Sequence, residues 1–191
     1  AAYYEARGEG RDGMRAVTQV VLNRVRHGAF PNSVCGVVYQ GAGRRTGCQF
    51  SFTCDGSMRG RVNQAAWNRA RDVASDALSG TVYSAVGNAT HFHTTGVSPG
   101  WRNSLVRVGQ VGDHLFYRFG GRSGSRAAFS YAARPSSDAD APRLILIDRD
   151  AQLAQAAGGG RVAQWHGLHA VAPQVDQHLL DHGPVAMHGR R

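Results

Sequence analysis

Two glutamates stand four residues apart near the start of the chain, in the segment of residues 3–9 (YYEARGE). A carboxyl group at the end of a helix and against aromatic rings can have a raised pKa, and it can then serve as a general acid. Glu5, which follows two tyrosines, is our candidate for this role. On these residues alone, the simpler interpretation of Glu5 and Glu9 as surface carboxylates in an arginine-rich segment is favoured about two to one.

Two histidines, His91 and His93, alternate in the segment of residues 88–93, which we interpret as a strand. Residues two apart on a strand point to the same face. Such a pair could bind zinc if a glutamate supplied a third ligand. No third ligand stands at a diagnostic spacing, so we give zinc about one chance in ten.

Three cysteines, Cys35, Cys48 and Cys54, lie in one region, and their spacing is not that of a zinc knuckle. They would suit one disulfide in an oxidising compartment, with one thiol left over. If residues 49–53 are extended at about 3.3 Å per residue, Cys48 and Cys54 are too far apart to bond. We therefore favour a Cys35–Cys54 disulfide, and three reduced, buried thiols are nearly as well supported.

Two amphipathic helices must position these residues. Apolar residues recur at steps of three and four between Asp12, which can cap the first helix, and Gly28, which ends it. A second helix with a clear apolar face begins after a cap at Asn63 and stops at Gly80. Both patterns predict helices packed on a common core.

Short strands are predicted around the helices. Residues 49–53 alternate with period two and are followed by an Asp-Gly turn, and residues 82–86 and 89–93 are joined by Gly-Asn. Residues 105–111 and 114–119 are typical of two closing strands joined by a Gly-Asp turn. Residues 34–39 fit either a helical turn or a strand.

The length and composition predict one domain and an appendage. The chain has 191 residues, and its character changes at Gly120-Gly121, where a segment rich in Gly, Ser, Ala, Arg and Pro begins. We expect residues 1–119 to form the main domain, starting in the last turns of a helix, and residues 120–191 to form a linker and a loosely ordered accessory tail. The histidines of the tail have no diagnostic metal-binding spacing.

The charge favours an anionic polymer as partner. The formal net charge is +9, from 22 basic residues that are all arginine. Nucleic acid is the weaker choice, because no dense basic run with interleaved aromatics is present, whereas a bacterial wall with acidic peptides also fits. No apolar run approaches the roughly 18 residues of a membrane span, and no signal peptide is visible in the opening residues.

Several motifs occur in one order along residues 3–118. They are Glu5-Ala6-Arg7-Gly8-Glu9, residues 20–25 (VVLNRV), Phe30-Pro31-Asn32, residues 36–40 (GVVYQ), residues 49–52 (QFSF), residues 87–93 (GNATHFH) and residues 114–117 (HLFY). With these motifs, the chain resembles the bacterial cell-wall hydrolases that include the spore cortex-lytic enzymes.

The resemblance implies a lysozyme-like α+β fold, with helices packed on a small antiparallel sheet. It also implies cleavage of peptidoglycan glycan strands between N-acetylmuramic acid and N-acetylglucosamine, without a cofactor or metal, in the cell envelope, periplasm or extracellular space. Glu5 matches the single essential glutamate of the family, whose members act as lytic transglycosylases that leave a 1,6-anhydro end. The chain departs from the family in its cysteines, in lacking an upstream wall-binding repeat domain, and in having only the end of the helix that bears Glu5.

In the implied mechanism, Glu5 protonates the leaving oxygen and then takes a proton from the 6-hydroxyl of the sugar. A hydrolase would need a second carboxylate, for which Glu9, Asp12 and Asp55 are candidates. Sugars also need fixed polar groups above apolar floors. The candidates for binding the substrate or supporting the site are Glu9, Gln49, Ser51, Asp55, Asn88, Thr90, His91, His93 and Trp101.

Three alternatives follow glycan cleavage in order. The first is a zinc-dependent amidase or peptidase that uses His91 and His93, the second is a non-catalytic wall-binding module, and the third is a nucleic-acid binder. The choice between hydrolysis and transglycosylation, the oligomeric state and the biological setting are left open. The settings considered are growth, division, germination and a phage-like particle that pierces walls.

Overall fold

The computed structural model describes residues 1–44 and 47–136. Its helices are α1 (Ala2–Ala6), α2 (Gly10–Val25), α3 (Val34–Val38) and α4 (Gln64–Leu78). Its strands are β1 (His91–Thr94), β2 (Val106–Val111) and β3 (His114–Arg118), and short 3-10 turns separate many of these elements. No helix in the described ranges is both long enough and apolar enough to cross a membrane.

The two long helices form where the apolar periodicity predicts them. Asn63 caps α4, since its side-chain oxygen accepts a hydrogen bond from the Ala66 amide at 2.9 Å. The predicted cap of α2 at Asp12 is wrong. That helix begins at Gly10, with Glu9 in the N-cap position and no side-chain cap. Gly10 has a φ of 71°, which lets the chain turn sharply between α1 and α2.

The sheet is antiparallel, with the strand order β1-β3-β2. The two closing strands are confirmed, and His93 pairs with Leu115 across β1 and β3. The strands predicted at residues 49–53 and 82–86 are wrong, because these segments contain 3-10 turns at Ser51–Thr53 and Ser84–Val86. The alternation in residues 49–53 reflects burial of Phe50 and Phe52 rather than strand pairing. Of residues 34–39, which fitted either a helical turn or a strand, Val34–Val38 form a helix.

The disulfide joins Cys48 to Cys54, so the predicted Cys35–Cys54 pairing is wrong. The prediction assumed an extended chain between Cys48 and Cys54. The 3-10 turn instead brings the Cα atoms of these residues to 6.5 Å, within reach of a disulfide. Cys35 is a free, partly buried thiol.

Loss of this disulfide is expected to destabilise the domain by about 2 kcal/mol, because the bond closes a short loop and limits the unfolded chain. Thermal unfolding of the Cys48→Ser/Cys54→Ser double variant measures this effect. Cys35→Ser is the matched control and should leave the midpoint nearly unchanged. Equal losses in both variants would mean that the disulfide contributes nothing of its own.

One hydrophobic core joins the helices to the sheet. It contains residues of α1, α2 and α4 together with Phe92 of β1 and Phe116 of β3, which are 1% and 0% exposed. Helix α2 lies at its centre and packs against both α1 and α4. The predicted α+β class, with helices on a small antiparallel sheet, is confirmed.

Residues 120–136 pack along the loop between α2 and α3. The Tyr131 amide donates to the Arg26 carbonyl, the Arg134 amide donates to the Asn32 carbonyl, and the Cys35 amide donates to the Ser136 hydroxyl. The first part of the predicted linker therefore lies against the main domain. The predicted boundary at residue 119 stays a prediction, and the predicted loose tail and its histidines lie outside the described residues from 137 onward.

Candidate functional site

Glu5 lies near the end of α1, and its side chain is half-buried. Burial raises the pKa of its carboxyl to about 8. The Arg24 guanidinium opposes this rise, whereas the carboxylates of Asp55 and Glu9 add to it. A carboxyl group with this pKa is mostly protonated at neutral pH, so it can donate a proton.

The two tyrosines that precede Glu5 in α1 pack against other aromatic rings. Tyr4 stacks on Phe52, with ring centres 3.9 Å apart and ring planes 27° apart, and its edge meets Trp67. Tyr3 is buried, and its hydroxyl accepts a hydrogen bond from the Asn63 amide at 2.8 Å. These contacts fix α1 against α4 and against the disulfide loop.

Asp55 is a second carboxyl group close enough to act electrostatically on Glu5. It is exposed, in the turn that follows Cys54. Burial would raise its pKa, but hydrogen bonds from Ser57 and Ser51 outweigh this effect and lower the pKa. The Ser57 amide donates to Asp55 Oδ1 at 2.8 Å. The site therefore pairs a protonated carboxyl with an ionised one, an arrangement typical of acid–base sites.

Glu9 has a different environment from Glu5. A 3-10 turn over Arg7–Glu9 separates it from α1, so the two glutamates are not neighbours on one helix face. Glu9 Oε1 accepts hydrogen bonds from His114 Nδ1 at 2.7 Å and from the Asp113 amide at 3.1 Å. Glu9 thus connects the α1–α2 corner to the β2–β3 turn, while its charge still reaches Glu5.

Arg24, in the last turn of α2, is fully buried, and its charge acts on Glu5. Its Nε donates to the Thr90 carbonyl at 2.6 Å, and its guanidinium lies over the rings of Phe30 and Phe50. The available signal was its spacing: Arg24 stands seven residues after Val17 on the apolar stripe of α2.

His91 and His93 share one face of β1, as predicted, since both rings contact Trp101. Burial, Arg24 and His27 lower the pKa of His91 well below its usual value, so its ring is neutral. His91 Nδ1 is 2.9 Å from the Thr90 hydroxyl. These contacts join Thr90 and His91 to Arg24 and hence to the surroundings of Glu5.

His93 uses both ring nitrogens within the protein. Nδ1 is 2.8 Å from the Thr94 carbonyl, and Nε2 is 3.0 Å from the Tyr117 hydroxyl. The carbonyl can only accept, so Nδ1 carries the proton and Nε2 accepts from Tyr117. Across residues 1–44 and 47–136, no three His, Cys, Asp or Glu side chains form a group that could hold a metal ion.

The remaining candidates for binding the substrate or supporting the site differ in burial and in their contacts. Gln49 is 2% exposed, and its Nε2 has no partner among the described residues. Ser51 is partly buried and supports Asp55. Trp101 is 6% exposed and packs on the histidines. Asn88 is half-buried.

The structure is a small α+β domain in which the half-buried carboxyl group of Glu5 has a raised pKa. The chain belongs to the Cell Wall Hydrolase family, whose model matches residues 8–117. The match begins three residues after Glu5, so it covers the positions of Glu9, Arg24, Asp55 and the β1 histidines but not Glu5 itself.

Similar proteins are spore cortex-lytic enzymes. The chain is 32% identical to that of Oceanobacillus iheyensis over 117 residues, which cover 61% of this chain and 38% of the relative. It is also 32% identical to that of Bacillus subtilis over 116 residues, which cover 61% of this chain and 34% of the relative. The chain thus spans little more than a third of the length of these relatives.

Two solved structures are similar in part. One is the catalytic domain of the germination-specific lytic transglycosylase SleB from Bacillus anthracis, with 28% identity and a TM-score of 0.49. The similarity covers 61% of this chain and 88% of that domain. The other is the catalytic domain of Bacillus cereus SleB, with 29% identity, a TM-score of 0.48, and coverage of 61% and 84%.

Proposed function

We propose that this protein cleaves peptidoglycan glycan strands between N-acetylmuramic acid and N-acetylglucosamine, with Glu5 as the general acid. The observation that carries the proposal is the half-buried Glu5 carboxyl, whose pKa of about 8 keeps it protonated at neutral pH. Membership of the Cell Wall Hydrolase family and the names of the relatives support the choice of substrate. The same substrate implies a place of action in the cell envelope or outside the cell.

The reaction begins when Glu5 gives its proton to the glycosidic oxygen. The bond from the muramic acid C1 to this oxygen breaks, the electron pair stays on the leaving oxygen, and positive charge develops at C1. The 6-hydroxyl of the same sugar then attacks C1 and returns a proton to the Glu5 carboxylate. The products are a free 4-hydroxyl and a 1,6-anhydro ring, and Glu5 recovers its starting form.

This transglycosylase reaction fits the site better than hydrolysis does. It needs one group that is first an acid and then a base, and Glu5 can fill both roles. Hydrolysis would place a water in the position of the 6-hydroxyl, and Asp55 would be the carboxylate available to orient it. In either reaction, transglycosylation or hydrolysis, the ionised Asp55 stabilises positive charge near C1.

Asp55→Asn is expected to slow glycan cleavage by about tenfold, because it removes a negative charge near the developing cation. The amide still accepts the hydrogen bond from Ser57, so the turn is kept. Loss of the charge should also lower the pKa of Glu5 and shift the alkaline limb of the pH–rate profile downward. Asp72→Asn, at an exposed position on α4, is the matched control. If the cleavage rate and the alkaline limb of the pH–rate profile were both unchanged in Asp55→Asn, Asp55 would have only a structural role in its turn.

The zinc alternative has less support from this geometry. Both nitrogens of His93 are engaged within the protein, and His91 faces a buried cation. A zinc amidase or peptidase would cut amide bonds and lose its activity to a chelator, whereas glycan cleavage through Glu5 would not depend on one.

The test is a digest of purified peptidoglycan by the whole chain, with and without chelator, and with the products identified by mass spectrometry. Anhydromuropeptides in both digests are expected. Reducing muramic ends would make the protein a hydrolase. Cleaved amide bonds would contradict the proposal, and so would binding to the wall without release of fragments, as a non-catalytic wall-binding module would show.

A further inference from the structure

One fully buried charge has no complete set of partners. Arg24 is 0% exposed in the last turn of α2, and among its side-chain nitrogens Nε alone is hydrogen-bonded, to the Thr90 carbonyl. Within the described ranges, its two terminal nitrogens have no hydrogen-bond partner. Burial of a charged group is unfavourable unless the charge is compensated, so a buried guanidinium with four free N–H bonds needs an explanation.

Two aromatic rings favour the positive charge of Arg24, whereas burial disfavours it. Its guanidinium carbon lies 5.1 Å from the ring centre of Phe30 and 5.5 Å from that of Phe50, both within the range of a cation–π interaction. Burial lowers the pKa of Arg24 to about 9, and the attraction of Glu5 opposes this change. The guanidinium is therefore charged at neutral pH.

Three charged side chains from different elements act on Glu5. The guanidinium of Arg24 favours its carboxylate, whereas Asp55 and Glu9 disfavour it. Asp55 is exposed to solvent, and Glu9 is bound to His114. Arg24 is the buried cation of this set, and its terminal nitrogens are unpartnered among the described residues.

We propose that Arg24 is the counter-ion of the Glu5 carboxylate that forms during the reaction, and that it acts as a positioning residue without touching the substrate. The inference rests on the proposed function of Glu5. When Glu5 has given its proton to the leaving oxygen, the carboxylate carries a full negative charge in a low-dielectric setting. Arg24 stabilises this charge until the proton returns.

The test is the pH dependence of peptidoglycan cleavage by the whole chain, by Arg24→Met and by Arg24→Lys. Arg24→Met removes the charge but keeps an apolar side chain of similar length. We expect its maximal rate to fall about tenfold or more. We expect the alkaline limb to move upward by about one pH unit, because a nearby cation lowers the pKa of a carboxyl group by this much or more. Arg24→Lys keeps the charge and should keep the limb near that of the wild type.

A purely structural role would lower the thermal midpoint of Arg24→Met but leave the limb in place. A folded Arg24→Met with an unmoved limb would therefore overturn the inference. If Arg24→Met does not fold, Arg24→Gln takes its place, because it also removes the charge and its amide can still donate a hydrogen bond to the Thr90 carbonyl. A limb that moves to higher pH by about one unit supports the counter-ion role, and a limb that stays in place contradicts it.

Glu5→Gln separates this inference from the proposed function. If Glu5→Gln still cleaves glycan strands, the proposed function fails, and the role of Arg24 fails with it. If Glu5→Gln is inactive and the limb of Arg24→Met does not move, only the role of Arg24 is lost.

Discussion

Glu5→Gln is expected to lower the rate of glycan cleavage by about a thousandfold, with little change in substrate binding. The amide has nearly the same shape as the protonated carboxyl group, but it cannot give a proton to the glycosidic oxygen. It also cannot take one back from the 6-hydroxyl. The measurement is the release of soluble fragments from purified peptidoglycan, with binding to intact sacculi measured by co-sedimentation.

The fold of Glu5→Gln should be intact, and its stability provides the control. The pKa of Glu5 is about 8 in the folded protein against an ordinary value of 4.5, so the folded state keeps a proton that the unfolded state loses. The free energy of unfolding of the wild type therefore falls as the pH rises from 4.5 towards 8. Glu5→Gln removes this loss, so it should be more stable than the wild type at neutral pH, by on the order of 2 kcal/mol. At pH values below 4.5 the two proteins should be equally stable.

The activity of the wild type should follow the same titration. Because the acid form of Glu5 starts the reaction, the rate should fall as the pH rises through about 8. Full activity in Glu5→Gln would move the search for an acid to other groups. A low activity together with a lowered thermal midpoint at neutral pH would mean that Glu5 has a structural role.

Periodicity in the sequence predicted the parts of the fold that depend on it. Helices α2 and α4, the β2–β3 hairpin and the shared face of His91 and His93 are all confirmed. The disulfide loop could not be predicted in this way. Phe50 and Phe52 alternate as in a strand, and both are buried, but the chain between them enters a 3-10 turn. This turn also brings Cys48 close to Cys54.

The environment of Glu5 was also beyond sequence reasoning. The pKa of a carboxyl group depends on burial and on charges brought together by the fold, and Arg24 and Asp55 are 19 and 50 residues away in the chain. Arg24 stands on the apolar stripe of α2, but a sequence alone does not say whether an arginine at such a position reaches solvent or stays buried. The general-acid role of Glu5 stays a prediction that the digest and Glu5→Gln test.

Glu9→Ala is expected to destabilise the domain by about 3 kcal/mol, the largest loss of stability that we predict for a residue near the site. The change leaves the His114 ring and the Asp113 amide without their common acceptor. His114 is 3% exposed, so water cannot easily replace the lost carboxylate. Chemical denaturation of the wild type and the variant measures the difference.

Two glycines leave the space that the Glu9 side chain occupies. A Cβ atom at Gly13 would lie 2.5 Å from Glu9 Cβ, and one at Gly112 would lie 2.9 Å from Glu9 Cδ. Gly112 also has a φ of 55°, which disfavours other residues. The α1–α2 corner and the β2–β3 turn therefore close around Glu9, and this junction holds the segment that follows Glu5.

Two variants make the Glu9 prediction specific. Glu9→Gln keeps a carbonyl oxygen that can accept from His114 and Asp113, so it should lose less than half as much stability as Glu9→Ala. Asp12→Ala removes an exposed carboxylate whose contact with Arg15 is 3.5 Å long, and it should cost about 0.5 kcal/mol or less. Glu9→Ala should also slow cleavage, but by much less than Glu5→Gln, because the proton donor is still present. If Glu9→Ala were as stable as Asp12→Ala, the junction would not depend on Glu9, and its effect on Glu5 would be electrostatic alone.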